Sequence, residues 1–312
     1  MKTTVPRHFI SILDFSAQEI EELLRVADRL KKKPAAAATA LKGKTIALIF
    51  EKPSTRTLVS FAAGIQSMAG FPLVLQHDAL QWKRGEPIAD MARVMARYVH
   101  GAMIRARHHT DVEEFARYLT VPLINGLTDR EHPCQVLADL QTLWERNDRK
   151  MSALRQLKIV FLGDGNNMSH SWLLLAAQLG LNFVLACPSG YDPDSQIMAE
   201  TRRLSSKSGA HITVIHDPQV ATQNADVLYT DVWTSMGQEA EEKRRMTAFR
   251  SFQLNGKLLA NAKSSAVVLH CLPARRGEEI TDEVIDGPQS IVFDQAENRL
   301  HMQKAILLKV MK

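Results

Sequence analysis

The stretch Phe50-Glu51-Lys52-Pro53-Ser54-Thr55-Arg56-Thr57 decides the fold of the first half of the chain. A β-rich apolar run over residues 45–50 leads into it, and small and apolar residues at helical spacing follow it over residues 58–69. Because Pro53 interrupts a strand and disfavours helix at the residue before it, the stretch predicts a strand, a short turn and a helix start.

The turn in this stretch carries groups that suit a phosphate. Ser54, Thr55 and Thr57 offer hydroxyls, and Arg56 offers a permanent cation, where the first helical N–H groups have no partner in the helix. Unpaired donors, the positive end of the helix dipole and a guanidinium together favour an anion. An ordinary Ser/Thr helix cap beside a surface arginine is the alternative interpretation.

Length and composition predict a two-domain globular protein. The chain has 312 residues, of which 45% are hydrophobic and 23% charged. Its formal net charge of +5 suits an anionic ligand, and the wide spread of its basic residues does not indicate nucleic acid. The chain shows no signal-peptide pattern and no apolar run long enough to span a membrane.

The cysteines point to a reducing compartment. Cys134, Cys187 and Cys271 are widely spaced and form no C-x-x-C pair, so the pattern favours neither a disulfide framework nor a zinc site. We therefore predict a cytoplasmic protein without a structural metal.

Strands and helices alternate along both halves, which predicts two parallel sheets covered by helices. A polar segment at 147–156 predicts the domain boundary. The first helix has a capping-box pattern at Ser16 and Glu19, and the helix at 87–98 is predicted to carry Ile88, Met91, Met95 and Tyr98 on one side. Predicted strands are 45–50, 71–76, 102–105, 121–125, 157–162, 183–186, 211–215, 227–230, 266–270 and 290–293. Predicted helices are 16–30, 54–69, 87–98, 112–118, 133–146, 169–179, 194–206, 218–224 and 296–310.

Ligands of open parallel α/β sheets bind beyond the carboxyl ends of the strands. That rule predicts that the functional residues lie in the turns after Phe50, Arg105, Asn125, Leu162, Thr230 and His270. An arginine that finishes a buried strand, such as Arg105, needs an anionic partner or a structural ion pair. His132 lies before Pro133 at a helix start, where a neutral imidazole is more natural than a charged one.

The second half offers groups for an amino-acid ligand. Gly163-Asp164-Gly165-Asn166-Asn167 lacks the third glycine of a dinucleotide fingerprint, because Met168 stands there, and no acid follows the next strand. Asn166 and Asn167 can instead bind an amino-acid backbone, or form an Asn-rich turn. Asp231 could hold an ammonium group, and the loop around Ser235 and Met236 could close over a ligand.

Taken in order, these blocks resemble the aspartate/ornithine carbamoyltransferase family over nearly the whole chain, with the Ser-Met-Gly of residues 235–237 marking its ornithine branch. The resemblance implies two doubly wound parallel-sheet α/β domains with the active site in the cleft between them. Residues 1–147, with a returning C-terminal helix at about 296–312, would bind carbamoyl phosphate. Residues 148–295 would bind ornithine. The sequence departs from the family pattern at Leu58, Ala62 or Ala63, Trp82, Lys83 and Ala106.

The resemblance also implies the roles of individual residues. The implied catalytic set is Arg56, Thr57, Arg105, His132, Asp231 and Cys271. Carbamoyl phosphate would contact Ser54, Thr55, Arg56, Thr57, Arg105, His132, Pro133, Cys134, Gln135, Cys271, Leu272 and Arg299, together with Gln81 from a neighbouring subunit of a homotrimer. Ornithine would contact Asn167, Asp231, Ser235 and Met236. The Leu272–Pro273 bond would be cis, and no metal or cofactor is implied.

The implied activity is carbamoyl transfer to L-ornithine, with L-citrulline and phosphate as products. Three alternatives remain open at this stage. Another amine, such as putrescine or an acylated ornithine, could be the acceptor. The chain could be an inactive ligand-binding paralogue, or the glycine-containing turn at Gly163 could belong to a dehydrogenase.

Overall fold

The computed structural model describes residues 6–76, 80–234 and 239–312. The chain divides into two compact units, residues 1–141 with 297–312 and residues 142–296. The dividing point lies inside a helix, whereas the sequence predicted the boundary in the polar segment 147–156. Part of that segment, Met151–Leu154, is itself a short helix.

The first unit contains a four-stranded parallel sheet in the order β2-β1-β3-β4. Its strands are β1 (Thr45–Phe50), β2 (Phe71–Gln76), β3 (Gly101–Arg105) and β4 (Leu123–Leu127). Its helices are α1 (Ala17–Lys32), α2 (Thr55–Gln66), α3 (Ile88–Tyr98), α4 (His109–Tyr118) and α5 (Pro133–Arg146), of which α5 continues into the second unit. From β1 the chain adds β2 on one side and then crosses to the other side of β1 to add β3 and β4. The boundary between β1 and β3 is therefore the switch point at which such folds bind ligands.

The second unit contains a five-stranded parallel sheet in the order β7-β6-β5-β8-β9. Its strands are β5 (Lys158–Leu162), β6 (Asn182–Ala186), β7 (His211–Ile215), β8 (Val227–Thr230) and β9 (Val267–His270). Its helices are α6 (Met151–Leu154), α7 (Asn167–Leu179), α8 (Ser195–Ser208), α9 (Pro218–Thr222), α10 (Glu242–Phe249), α11 (Gly256–Asn261) and α12 (Asp282–Ile285). A last helix, α13 (Val292–Val310), begins in the second unit and ends in the first.

Local sequence explains where these elements begin. The side chain of Ser16 accepts the Glu19 N–H and the side chain of Glu19 accepts the Ser16 N–H, so the predicted capping box is confirmed. Ser54 caps α2 by accepting the Thr57 N–H at 3.3 Å. The central strands are buried on both faces, which is why they appear in the sequence as continuous apolar runs.

Each unit has its own apolar core. In the first unit, side chains of β1 and β3 pack against α3 and α4, with Ile49, Ile104, Met91 and Phe115 among them. In the second unit, Val160, Leu228 and Val268 of three adjacent strands pack with Phe249 and its neighbours. Fully burying side chains of this size contributes about 1.5 to 3 kcal/mol each.

Several predictions of local structure are wrong. Residues 290–293 do not form a strand, because Ser290 makes a single bridge to Val268 and α13 begins at Val292. Tyr98 is 73% exposed, although the helical spacing placed it with the buried Met91. The helices α10, α11 and α12 were not predicted. Among the described residues, no helix is both long and apolar enough to cross a membrane.

Candidate active site

The ends of β1 and β3 lie side by side in the first unit. Phe50 and Arg105 are paired in the parallel register, and the Glu51 N–H donates to the Arg105 carbonyl at 2.9 Å. The Arg105 side chain is buried at this strand end. The turn after Phe50 and the turn after Arg105 therefore face the same edge of the sheet. Asn125, in contrast, lies within β4, which continues to Leu127.

The N-terminus of α2 holds Thr57 in one orientation. Its hydroxyl oxygen accepts hydrogen bonds from Ser54 Oγ at 3.1 Å and from Arg299 Nη2 at 2.8 Å. A hydroxyl has two acceptor positions and one donor. With both acceptor positions used, the Thr57 O–H remains a donor for a ligand. Thr57 is fully buried, so this orientation is protected from competition by bulk water.

His132 lies in a strongly cationic environment. Burial lowers the pKa of His132 well below its usual value, and the charges of Arg299, Arg105 and Arg56 lower it further. The imidazole is therefore neutral at pH 7, as its position before the N-terminus of α5 suggested. These four residues come from α13, β3, α2 and the start of α5, so the tertiary fold brings predicted site residues from distant parts of the chain together.

The first turn of α5 contributes polar and apolar groups. Gln135 is buried, and its Nε2 donates to Asp139 Oδ1 at 2.8 Å, which orients the amide. Its Oε1 has no hydrogen-bond partner within the described part of the chain and can accept from a ligand. Cys134 donates to the Asn125 carbonyl, and burial raises the pKa of its thiol to about 12, which excludes it as a nucleophile.

Lys52 is a member of this cationic cluster that the sequence reasoning did not select. Burial lowers the pKa of Lys52, followed by the charges of Arg105 and Arg107. The sequence signal for Lys52 is its position two residues before the Ser54 cap, within the stretch that decides the fold.

Gln81 is exposed and begins a short 3-10 helix, Gln81–Arg84. Ser235 and Met236, which the sequence selected for ornithine, lie outside the described residues. The structure therefore tests neither of these two assignments.

In the second unit, Asp231 and Cys271 follow the adjacent strands β8 and β9. Cys271 Sγ donates to Asp231 Oδ1 at 3.0 Å, and the Val232 N–H donates to the same oxygen at 2.8 Å. Asp231 Oδ2 receives one long contact, from Asn166 Nδ2 at 3.5 Å. The carboxylate is buried, and its Oδ2 is the oxygen better placed to accept from a cationic ligand.

The two asparagines after β5 have different roles. Asn166 is the N-cap of α7, and its Oδ1 accepts the N–H groups of Met168 and Ser169. Its carbonyl oxygen is therefore used by the helix, as the Asn-turn interpretation suggested. Asn167 begins α7 and is half-buried, so its side chain is the better candidate for a ligand.

His270, the last residue of β9, stabilises the turn that follows this strand. Its Nδ1 accepts the Leu272 N–H at 2.8 Å, so the remaining ring nitrogen carries the proton and donates to Glu279 Oε1 at 3.0 Å. Both side chains are fully buried. The expected cis Leu272–Pro273 bond is confirmed, and Leu272 has a left-handed φ of 56°.

A buried ion pair that the sequence did not reveal connects two of these loops. Arg245 Nη1 donates to Asp164 Oδ2 at 2.6 Å and to the Trp233 carbonyl at 3.0 Å. Arg245 thus joins the turn after β5 to the turn after β8. In the sequence Arg245 lies in the charged run of residues 241–245, where nothing sets it apart from its neighbours.

Fold and site together define a two-unit parallel α/β protein. One unit has a cationic helix N-terminus, and the other has a buried aspartate hydrogen-bonded to a partly buried thiol. A model of the aspartate/ornithine carbamoyltransferase carbamoyl-P binding domain matches residues 7–145, and a model of the Asp/Orn binding domain matches residues 155–310. The chain belongs to the aspartate/ornithine carbamoyltransferase family.

Relatives with specific names are similar over nearly the full chain. An ornithine carbamoyltransferase of Archaeoglobus fulgidus is 50% identical over 98% of this chain and 97% of its own length. An anabolic ornithine carbamoyltransferase of Pyrococcus furiosus is 48% identical over 98% of this chain and 96% of its own length. A solved structure of the Pyrococcus furiosus ornithine carbamoyltransferase has a TM-score of 0.93 at 48% identity, covering 98% and 97% of the two chains.

Proposed function

We propose that this protein transfers the carbamoyl group of carbamoyl phosphate to the δ-amine of L-ornithine, giving L-citrulline and phosphate. The observation that carries the proposal is the position of Arg56, Arg105 and Arg299 around a neutral His132. Arg56, Arg105 and His132 lie in the stretch of residues 7–145 that matches a carbamoyl-P binding domain, and α13 places Arg299 in the same unit.

The phosphate is assigned to the N-terminus of α2. Ser54, Thr55, Arg56 and Thr57 combine backbone N–H groups with a guanidinium. Arg105, which is buried, adds a second cation at the adjacent strand end. These two arginines and the helix N-terminus match the charge and the several acceptor oxygens of a phosphate dianion.

The carbamoyl group is assigned to the start of α5. Gln135 Oε1 can accept from the carbamoyl NH2, while Pro133 and Cys134 form the apolar start of the same helix. The carbamoyl oxygen is assigned to His132, Arg299 and the donor hydroxyl of Thr57. The backbone groups of Cys271 and Leu272 are further contacts that the family resemblance implies.

The ornithine backbone is assigned to the second unit, most of which lies in the stretch of residues 155–310 that matches an Asp/Orn binding domain. Asp231 Oδ2 would accept from the ammonium, and Asn167 would bind the same amino-acid end. The Cys271 thiol orients the Asp231 carboxylate through its hydrogen bond to Oδ1. Ser235 and Met236 complete the proposed contacts.

The reaction forms one C–N bond and breaks one C–O bond. The neutral δ-amine attacks the carbamoyl carbon, and the cations of the first unit favour the neutral amine over its ammonium form. Thr57, Arg105 and His132 stabilise the oxyanion that develops. The phosphate then leaves with its bonding electron pair and can take the proton from the amine. Orientation and electrostatics carry this chemistry, which uses no redox step.

We further propose a homotrimer in which Gln81 of one subunit reaches the site of its neighbour. Large apolar side chains of the first unit are exposed on α2 and β2, including Val59 at 57% and Phe71 at 62%. Exposed apolar groups of this kind suit a subunit interface. We place the protein in the cytoplasm, in arginine biosynthesis.

A steady-state comparison of three acceptor amines tests the proposal. Phosphate release from carbamoyl phosphate is measured with L-ornithine, putrescine and N-acetyl-L-ornithine, and we expect the highest kcat/KM with L-ornithine. A higher value with either other amine contradicts the assignment. Negligible turnover with tight carbamoyl phosphate binding supports the inactive paralogue instead, and a thermal shift with NAD supports the dehydrogenase.

A further inference from the structure

Cys187, Asp192 and His216 form a cluster in the second unit that the proposed reaction does not use. Cys187 follows β6 and His216 follows β7, two neighbouring parallel strands, and the Cys187 N–H donates to the Ile215 carbonyl at 3.2 Å. The thiol sulfur, one carboxylate oxygen and one ring nitrogen lie within 4.8 Å of one another. Cys187 is buried, whereas the side chains of His216 and Asp192 are 46% and 50% exposed.

The tautomer of His216 is that of a metal ligand. His216 Nδ1 lies 2.9 Å from the Cys187 carbonyl, and because a carbonyl oxygen can only accept, the proton of the neutral ring is on Nδ1. The lone pair of Nε2 then faces Asp192 Oδ1, 3.6 Å away. Histidines that bind metals almost always donate their other ring N–H in this way.

Asp192 is oriented by the same turn. Its Oδ2 accepts the Gly190 N–H at 3.3 Å, which leaves Oδ1 directed at His216. Gly190 has a left-handed φ of 86°, which a glycine adopts without strain. Two acceptor atoms, His216 Nε2 and Asp192 Oδ1, therefore lie 3.6 Å apart, a separation at which one ion can contact both.

The electrostatics of the cluster favour a cation. The negative charges of Asp192 and Asp164 act on the Cys187 thiol. A divalent ion among these groups would offset that negative charge. By contrast, both ring nitrogens of His270 are hydrogen-bonded, so the group formed by Asp231, His270 and Cys271 offers no free imidazole lone pair.

We propose that Cys187, Asp192 and His216 bind a divalent transition-metal ion of the zinc class, with an open position for water or a further ligand. One sulfur, one nitrogen and one oxygen donor match zinc, whose ligand atoms in a tetrahedral site are ~3.3 to 3.9 Å apart. The His216–Asp192 distance already falls in that range, and a modest approach of the thiol completes the set.

The site adjoins the turn that leads into α7. The Tyr191 carbonyl accepts the Gly165 N–H at 2.9 Å, and a Cβ on Gly165 would lie 2.4 Å from the Asp192 backbone carbon. An ion that holds the turn of residues 187–192 thus restrains the turn of residues 163–167 as well. The ion stabilises the second unit because it binds the folded arrangement of ligands.

The test uses Co2+ as a spectroscopic probe on the full-length protein. The Cys271→Ser variant is the background, because it removes the other thiol that lies beside an aspartate. Titration is expected to give one Co2+ per chain, with a thiolate-to-cobalt charge-transfer band in the near ultraviolet and visible bands of tetrahedral intensity. Added Zn2+ is expected to displace the Co2+ and to raise the melting temperature.

Second-site variants in the same background locate the ion. His216→Ala and Cys187→Ser should each abolish the charge-transfer band and the Zn2+-dependent thermal shift. His211→Ala changes an exposed histidine on the same strand β7 and should leave both signals unchanged. Because His216 is half exposed, its variant remains informative even if Cys187→Ser fails to fold.

Absence of a thiolate band in the Cys271→Ser protein overturns the proposal, and so does a band that persists in the His216→Ala variant. A His216 imidazolium paired with Asp192 would produce the first of these results. Since the measurement uses no substrate and no turnover, its outcome is independent of the proposed carbamoyl transfer.

Discussion

Arg299 Nη2 donates a 2.8 Å hydrogen bond to Thr57 Oγ1, although 242 residues separate the two in the sequence. Arg299 lies on α13 and Thr57 in the first turn of α2, and both are buried. The contact joins the last helix of the chain to the stretch that decides the fold. Because it also occupies an acceptor position of the Thr57 hydroxyl, it connects the return of α13 with the proposed site.

Arg299→Lys should lower kcat by about 100-fold or more, the usual cost of losing one donor to a developing oxyanion. Lysine retains the charge but lacks the planar fork that can contact Thr57 and a ligand together. Initial-rate kinetics measure the effect. Arg25→Lys makes the same change at an exposed arginine paired with Glu21 on α1 and should leave kcat unchanged.

The coupling between Arg299 and Thr57 is testable by a double-mutant cycle. Thr57→Val removes the hydroxyl with little change in volume. If the two residues act as one unit, the double variant should lose much less activity than the product of the two single losses. Fully multiplicative losses would show that the 2.8 Å contact has no role in catalysis.

Arg56→Ala should reduce turnover by at least about 100-fold while the protein stays folded, because a charge partner of the transferred group is lost. Circular dichroism checks the fold, and the carbamoyl phosphate dependence of the rate checks binding. Near-normal activity would refute the phosphate role of α2. Arg25→Ala provides the control for removal of an arginine from a helix of the same unit.

His132 should remain neutral throughout the physiological pH range. Burial and three arginines hold its pKa well below the usual value. Nitrogen-15 NMR of the ring should therefore show no protonation down to about pH 6, with His132→Gln serving to assign the signal. Arg299→Ala removes one of these three cations and should raise the pKa of His132. Protonation of the wild-type ring near its ordinary pKa would contradict this environment.

Asp231→Asn should raise the KM for ornithine by about 10- to 100-fold, with a smaller effect on carbamoyl phosphate, because an amide cannot supply the charge that an ammonium requires. The readout is steady-state kinetics with each substrate varied. Asp226→Asn is the matched control, since Asp226 precedes β8, the strand that Asp231 follows, and pairs with Lys263. Equal effects of the two variants would argue against the ornithine assignment.

Glu131 should make stability depend on pH. It is buried, and burial raises its pKa from 4.5 to about 7, although the Ile12 N–H donates to it at 2.9 Å. The folded state therefore binds this proton more tightly than the unfolded state. The resulting stabilisation is complete below about pH 4.5 and is lost as the pH rises through about 7.

Glu131→Gln should remove this dependence while keeping an acceptor for Ile12. Relative to wild type, its free energy of unfolding should increase by about 3 kcal/mol between about pH 4.5 and about pH 8. Urea denaturation at several pH values measures the difference. Glu113→Gln, at an exposed position on α4, should show no such trend. A pH-independent difference for Glu131→Gln would mean that Glu131 stays ionised in the folded protein.

Much of the fold could be predicted from the sequence because its signals are local. The apolar runs of β1, β2, β7 and β8 and the helix α5 have the predicted bounds, and Ser16 and Ser54 cap helices within three residues of themselves. The errors occurred where a local pattern had two solutions. Residues 290–293 are apolar enough for a strand, but the chain beyond them continues as helix and draws them into α13.

The sequence by itself determined most of the strands and the longer helices, the helix caps and the hydroxyl-rich turn before α2, because each depends on residues a few positions apart. The tertiary structure alone decided which side chains meet. Arg299 reaches Thr57, Arg245 reaches Asp164, and Cys187, Asp192 and His216 converge only because strand order and helix packing bring them together. Charge, burial and hydrogen-bond geometry depend on those distances, and no short stretch of sequence contains them.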